Sequence, residues 1–148
     1  MARQYKQGKY VLRNPEKYIG DKNGIVYRSS WELRVLKWLD ENPKVKKFSS
    51  EEIIIPYYSP VDKKMHRYFP DFYVEVESRS GDIKKYLVEV KPLIQTKEPE
   101  KKKRVTKGYV QNYLTFQVNS AKWNAATTFC QTHGWTFMLL TEKDIGVR

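Results

Sequence analysis

The sequence predicts an α/β fold, more fully an α+β mixed sheet with helices packed against it, in the order α-β-β-β-α-β. Three patterns predict this order. Apolar residues recur at helical spacing over residues 30–40. Two β-rich runs flank a polar segment within residues 68–91, which is typical of a hairpin. An amphipathic stretch over 119–132 precedes an apolar run over 135–140, and a helix followed by a strand favours a parallel crossover onto the sheet.

The composition fits one domain that binds a polyanion. The chain has 148 residues, 40% of them apolar and 14% aromatic, which suffices for one core. Its net charge of +11 favours a polyanionic partner and salt-dependent association.

The single Cys130 excludes an internal disulfide, and with only two histidines a structural zinc site is not expected. No apolar run is long enough to span a bilayer, and residues 1–10 lack the apolar core of a secretory signal, so we expect neither a membrane segment nor secretion.

The sequence divides into a basic N-terminal arm, residues 1–24, and a single domain, residues 25–148. Tyrosines alternate with the basic residues of the arm. One interpretation is that the arm contacts phosphates and stacks on bases. The other is that it packs its tyrosines on the domain. The arm contains Arg3, Lys6, Lys9, Arg13, Lys17 and Lys22, with Tyr5, Tyr10 and Tyr18 between them.

The first predicted helix spans residues 30–40 and places a carboxylate on its apolar arc. Ser29 is the expected cap, with the Glu32 side chain reaching back to the Ser29 amide as in a capping box. Glu32 lies between Leu36 and Leu39 on the helical wheel, and a charge on an inner face needs a partner. By position alone the cap is favoured for Glu32; the alternative is that it points across the core. The arc comprises Trp31, Val35, Leu36, Trp38 and Leu39.

Two further β-rich runs precede the predicted hairpin. Residues 44–48 indicate a short edge piece, and residues 53–58 indicate a strand whose Pro56 suggests an edge or an end. His66 then precedes the hairpin and is a candidate general base or phosphate contact. A histidine in such a place is more often a polar strand residue, so we assign it no catalytic role.

The hairpin itself brings two carboxylates together. Asp71 and Glu89 both lie nine positions from Ser80, the centre of the predicted turn, so antiparallel pairing places them opposite each other. Opposed carboxylates repel and reduce stability, and a divalent cation would compensate. Mg²⁺ takes oxygen ligands from one or two carboxylates and keeps several waters. Because side chains alternate along a strand, Lys91 shares a face with Glu89.

A basic segment follows the hairpin at residues 95–108. We expect a mobile loop beside the site that follows a phosphate backbone. The alternatives are a solvated connector or a run that resembles a nuclear-localisation signal. The predicted DNA-binding residues are Lys97, Lys101, Lys102, Lys103, Arg104 and Lys107.

These residues resemble a known family. Pro70-Asp71 followed by Glu89-Val90-Lys91 is similar to the PD-(D/E)xK motif of metal-dependent nucleases, and residues 27–32 are similar to the endonuclease subunit of certain transposases. The resemblance covers about residues 25–140 and implies a restriction-endonuclease-like core. It also implies that Glu32 is a third carboxylate of the metal site, although it can serve as the cap at the same time.

The motif predicts phosphodiester hydrolysis. Asp71 and Glu89, with the Val90 carbonyl and Glu32 as further candidate ligands, would hold Mg²⁺, for which Mn²⁺ can substitute. Lys91 would orient or deprotonate a water, or neutralise developing charge. The predicted catalytic residues are therefore Glu32, Asp71, Glu89 and Lys91. So short a chain scarcely has room for an insertion that reads base edges, so we expect low sequence specificity.

The size and sequence also resemble the head completion nucleases of T-even-type bacteriophages. The resemblance implies action on DNA ends as packaged heads are finished for tail joining. It further implies a place in the virion head and host cytoplasm, with DNA and with head, portal or neck proteins as partners. Two alternatives stay open, namely a non-catalytic protein that binds DNA ends and a junction resolvase on the same fold.

Overall fold

The computed structural model describes residues 7–101 and 103–146, and a four-stranded mixed sheet forms their centre. The strand order is β3-β6-β7-β8, in which β7 and β8 are parallel and the other neighbours are antiparallel. Two short ribbons, β1-β2 and β4-β5, lie outside this sheet. The strands are Gly8–Lys9 (β1), Val26–Tyr27 (β2), Val45–Ser50 (β3), Ile55–Tyr58 (β4), Met65–Tyr68 (β5), Phe72–Glu77 (β6), Ile83–Val90 (β7) and Thr136–Leu140 (β8), and the helices are Ser30–Glu41 (α1), Lys107–His133 (α2) and Glu142–Ile145 (α3).

The predicted order α-β-β-β-α-β is confirmed by α1, β3, β6, β7, α2 and β8. The run at 44–48 supplies the edge strand β3, while the run at 53–58 pairs with β5 in a separate ribbon. Parallel pairing of β7 with β8 confirms the predicted crossover through α2. The apolar run over 135–140 predicts a buried last strand, but Met138 is 38% exposed because β8 is the other edge of the sheet.

Alternation along the strands gives the sheet two apolar faces. Phe72, Val74 and Val88 pack with Leu36 of α1 on one face. Tyr73 and Leu87 face the other way and pack against α2 and the β4-β5 ribbon; the buried members of this second cluster are Ile55, Tyr57, Tyr68, Tyr73, Leu87, Ala126 and Cys130. Glu89 has the parity of Leu87, so the predicted catalytic strand end lies on the α2 face.

The longer helix differs from the prediction. It was expected to begin near Asn119 but starts at Lys107, where the Thr106 hydroxyl caps it by accepting a hydrogen bond from the Tyr109 amide at 3.1 Å. Its first half carries no buried residue before Asn119, so it lacks the apolar stripe that identifies a helix in sequence. Gly134, just after the amphipathic stretch over 119–132, predicts the end of this helix, and its left-handed backbone with φ of 72° confirms that end.

The described part of the N-terminal arm packs on the domain. Tyr10 and Tyr18 are buried in the α1-side core, and the Tyr18 ring meets Phe48 edge-on at 5.3 Å between centroids. These two tyrosines therefore follow the second of the interpretations given above. Tyr5 lies outside the described residues. No helix in the described ranges has the length and apolar character needed to cross a membrane.

Candidate active site

The β6-β7 hairpin places the two predicted carboxylates side by side. Its register runs from Glu77 opposite Ile83 to Phe72 opposite Val88. The same register continued by one residue pairs Asp71 with Glu89, which is the pairing that the sequence predicts. Pro70 precedes Asp71 and ends the ladder there because proline has no amide to donate.

Each carboxylate is held by the backbone of the opposite strand. Asp71 Oδ2 accepts a hydrogen bond from the Val90 amide at 2.7 Å. Glu89 Oε1 accepts one from the Asp71 amide at 3.3 Å. These two bonds fix both side chains at the strand ends, and they leave the carboxylates with oxygen lone pairs to offer a cation.

Burial and mutual repulsion disfavour the charged pair. Burial raises the pKa of the Asp71 carboxyl well above its ordinary value, and the charge of Glu89 raises this pKa further. Burial also raises the pKa of Glu89, which is 7% exposed, although the Lys91 ammonium opposes the rise. Two adjacent carboxylates whose burial raises both pKa values are typical of a functional site.

The lysine of the motif lies against this pair. Lys91 Nζ is 3.8 Å from Glu89 Oε2, so the two residues share a face as alternation predicts. Its backbone amide donates to the Leu140 carbonyl at 2.9 Å, which ties the strand end to β8. The backbone of Lys91 is therefore fixed, while its side-chain ammonium can reach a group bound beside Glu89.

Glu32 caps α1 at the rim of the site. The Ser29 hydroxyl accepts a bond from the Glu32 amide at 3.1 Å, which confirms the predicted cap. The Glu32 carboxylate accepts from the Arg28 amide at 2.8 Å, so the expected bond to the Ser29 amide is wrong by one residue. The extended backbone of Ser29 lets the side chain reach past it.

The charge of Glu32 still reaches the carboxylate pair. It contributes to the raised pKa of Asp71, after burial and the charge of Glu89. Within the described residues, no three side chains of His, Cys, Asp or Glu lie close enough to hold one metal ion. Glu32 is thus a cap with an electrostatic effect on the site, and its role as a ligand stays a prediction.

Comparison with known proteins assigns the family. The family described as "TnsA-like endonuclease N terminal" matches residues 42–142 of the chain. The chain belongs to the TnsA-like endonuclease family. It is also 36% identical over 142 residues to the head completion nuclease of Enterobacteria phage T4, which covers 93% of this chain and 92% of that protein. Both findings confirm the resemblance, the mixed α+β fold and the assignment to the nucleases.

The matched region separates the site residues into two groups. Asp71, Glu89 and Lys91 lie inside residues 42–142 of the TnsA-like endonuclease match, whereas Glu32 lies before it. The hairpin therefore carries the part of the site that the family comparison covers. Glu32 joins the site only through the fold, because α1 starts next to the strand ends.

The basic segment after the hairpin lies beside the first half of α2. The described basic residues there are exposed, and Lys107 is the first residue of α2 instead of a loop residue as predicted. Lys102 lies outside the described residues. A groove of about 880 Å³ runs between this segment and α2, lined among others by Lys97, Tyr109 and Phe116.

Sequence reasoning missed two residues of the site. Tyr68 is buried beside Glu89, whose charge adds to burial in raising the pKa of the Tyr68 hydroxyl. Lys122 of α2 is partly buried, and the charges of Lys91, Glu89 and Asp71 all affect its pKa. The available signal for Lys122 was its position four residues before Ala126 on the inner stripe of α2.

Proposed function

We propose that this TnsA-like endonuclease is a metal-dependent enzyme that hydrolyses DNA phosphodiester bonds with low sequence specificity. The observation that carries the proposal is the opposed pair Asp71 and Glu89 with Lys91 on the same face. An opposed pair of carboxylates is unfavourable while both are charged, a divalent cation would offset this repulsion, and such a cation can also assist phosphodiester hydrolysis.

The residues present fit Mg²⁺. Asp71 and Glu89 supply hard oxygen donors, and their backbone bonds orient these donors without using all of their lone pairs. The Val90 carbonyl and Glu32 are the further ligands that we propose. Mg²⁺, when bound, would stabilise negative charge on the phosphoryl group and lower the pKa of a bound water; Mn²⁺ would substitute.

The chain's own groups account for the remaining chemistry. Lys91 would orient the attacking water or take its proton, and its charge would stabilise the negative charge that develops on the phosphate. Glu89 is buried, and electrostatic interactions are stronger in such low-dielectric surroundings. Glu32 would hold the rim of the site through its bond to the Arg28 amide.

The basic residues of the segment at 95–108 would bind the DNA backbone. The net charge of +11 supports a polyanionic substrate, and lysine contacts to phosphates carry no sequence information. This supports low sequence specificity. The residues proposed to contact phosphates are Lys97, Lys101, Lys102, Lys103, Arg104 and Lys107.

The printed name of the phage T4 relative extends the proposal to a biological role. That protein is a head completion nuclease, and the similarity covers nearly the whole of both chains. We propose that this chain acts on DNA ends while a phage head is completed, in the host cytoplasm and the virion head. Head, portal or neck proteins would be its partners there.

Cleavage of circular and linear plasmid DNA tests the proposal. Purified protein is incubated at low salt with Mg²⁺, with Mn²⁺ or with EDTA, beside the variants Asp71→Ala and Glu89→Ala. We expect cutting only with the divalent cation and none in either variant, while DNA binding persists in both. Binding by the wild type without cutting in Mg²⁺ or Mn²⁺ would instead support a non-catalytic protein of DNA ends. Preference for branched over linear DNA would support a junction resolvase.

A further inference from the structure

A second lysine faces the carboxylate pair from the helix that covers this face of the sheet. Lys122 lies one helical turn before Ala126, an α2 residue whose side chain is fully buried. Residues four apart share a face of a helix, so Lys122 points toward the sheet and the ribbon. It therefore reaches the site from α2, whereas Lys91 reaches it from the end of β7.

Two tyrosine rings hold the Lys122 ammonium. Its Nζ lies 5.6 Å from the ring centroid of Tyr68 and 5.9 Å from that of Tyr57. Both tyrosines are buried in the β4-β5 ribbon, so their faces are fixed. Cation–π contacts of this kind hold the ammonium in place while leaving its three N–H donors available.

Within residues 7–101 and 103–146, the Lys122 ammonium has no ion-pair partner. Among the described residues, no carboxylate forms an ion pair with Lys122, and Glu89 of the motif pairs with Lys91. A partly buried cation is expensive without an anion close by. Burial, and then the charge of Lys91, lower the pKa of Lys122, while Glu89 and Asp71 oppose this effect.

We propose that Lys122 is a phosphate-binding residue of the active site, where its ammonium contacts an oxygen of the DNA backbone at or next to the bond that is cut. This inference rests on the proposed function for its substrate. A phosphodiester bound at Asp71 and Glu89 would lie between two ammonium groups, Lys91 from β7 and Lys122 from α2. The substrate phosphate would supply the ion-pair partner that the described residues do not offer Lys122.

Tyr68 positions the parts of this subsite. Its ring lies under the Lys122 ammonium, and its hydroxyl, which is buried and forms no hydrogen bond of ordinary length to a described residue, lies near Glu89. Tyr68→Phe therefore removes the hydroxyl and keeps the ring. This variant alters the contact of Tyr68 with Glu89 but not the cation–π contact with Lys122, so the two contributions can be measured separately.

The test measures how DNA binding depends on salt in EDTA, where no cutting occurs. For duplex DNA the slope of log K against log salt changes by about 0.9 for each phosphate contact. We expect Lys122→Met to reduce the slope by about this amount, because methionine keeps the apolar stem between the rings and loses the charge. Lys122→Arg and Tyr68→Phe should keep the wild-type slope. Lys37→Met, at an exposed helix position of α1, is the matched control and should also keep it.

Cleavage kinetics complete the test. With the divalent cation, Lys122→Met should lower kcat/KM by roughly 10- to 100-fold, and Lys122→Arg should restore most of it. An unchanged slope in Lys122→Met would overturn the inference, even if the wild type cuts DNA. If the wild type fails to cut while the slope still falls, the phosphate contact stands and the proposed function fails. Should Lys122→Met not fold, Lys122→Gln replaces it.

Discussion

Asp40 at the end of α1 and Asp71 immediately before β6 are both carboxylates inside the protein, but their surroundings differ. Asp40 is fully buried and accepts hydrogen bonds from the Tyr10 hydroxyl at 2.7 Å and from the amides of Arg13 and Asn14 at 2.8 and 3.0 Å. Asp71 accepts one bond, from Val90, and faces the charge of Glu89.

The two environments shift the carboxyl pKa in opposite directions. Burial acts to raise the pKa of Asp40, but its hydrogen bonds outweigh burial and the pKa is lowered. At Asp71, burial and the charge of Glu89 act together and raise the pKa. The comparison teaches that a buried carboxylate with a full set of donors stabilises the fold, whereas one that faces another carboxylate stores energy for a ligand.

The largest difference is expected in catalysis. Asp71→Asn and Glu89→Gln keep the shape of each side chain and remove its charge, so each should lower cleavage by at least roughly 1000-fold through loss of the cation. Asp40→Asn should cut at the wild-type rate per folded molecule. Initial rates on supercoiled plasmid, corrected for the folded fraction, measure this. A comparable loss in Asp40→Asn would remove the distinction between the two carboxylates.

Lys17 and Lys91 should differ in the same way as Asp40 and Asp71: the first should matter for stability and the second for catalysis. Lys17 Nζ donates to the carbonyls of Leu39, Asp40 and Asn42 at the end of α1. Lys17→Met should therefore reduce stability and leave the rate unchanged. Lys91→Met should reduce kcat by roughly 100- to 1000-fold, the usual size of one acid–base or charge-stabilising contribution.

Chemical denaturation and single-turnover cleavage on the same samples separate the two lysine variants. Binding of DNA in EDTA should survive in Lys91→Met. An active Lys91→Met variant would show that this lysine only pairs with Glu89.

Stability is where Asp40 should matter more. Asp40→Ala leaves the Tyr10 hydroxyl and two backbone amides without their acceptor, so the free energy of unfolding should fall by about 3 kcal/mol. Urea denaturation at neutral pH measures it. Because the pKa of Asp40 is lowered by folding, its contribution is present above the ordinary carboxyl range and is lost as the pH falls through the folded pKa. A loss below about 1 kcal/mol would mean that solvent replaces these bonds.

Asp71→Asn should have a smaller effect of opposite sign. Folding raises the pKa of Asp71 from its ordinary value of 3.8, so the ionised residue destabilises the folded state. This loss grows as the pH rises from that value to the folded pKa and then stays constant. In EDTA at neutral pH the variant should be more stable than the wild type, and this gain should vanish at low pH. A gain that does not depend on pH would rule out the titration of this pair as its cause.

The sequence was sufficient to predict the central hairpin. Period-two alternation and the polar segment around Ser80 determine its register, and the register alone brings Asp71 to Glu89. Local chemistry also predicts the Ser29 cap and the Gly134 stop, because both depend on a few adjacent residues. These features need no knowledge of what packs against them.

Features that depend on distant parts of the chain were missed. The first half of α2 has no single apolar stripe, so its start at Thr106 was not recognised. Lys122 joins the site only because the β4-β5 ribbon places Tyr57 and Tyr68 under α2. Asp40 was not singled out, because its donors come from residues 10–14 across the core.

We propose that Asp71 and Glu89 form a strained pair that a divalent cation relaxes. The most direct measurement is the free energy of unfolding in urea at neutral pH, with EDTA and with saturating Mg²⁺. Measured on the wild type, Asp71→Asn and Glu77→Gln, it compares the two ends of β6, since Glu77 is an exposed carboxylate that pairs with Lys46 at the far end.

We predict that Mg²⁺ at about 100 times its Kd stabilises the wild type and Glu77→Gln by about 2.7 kcal/mol. Asp71→Asn should be more stable than the wild type in EDTA and gain nothing from Mg²⁺. An Asp71→Asn protein that is less stable in EDTA and gains as much from Mg²⁺ as the wild type would contradict the account.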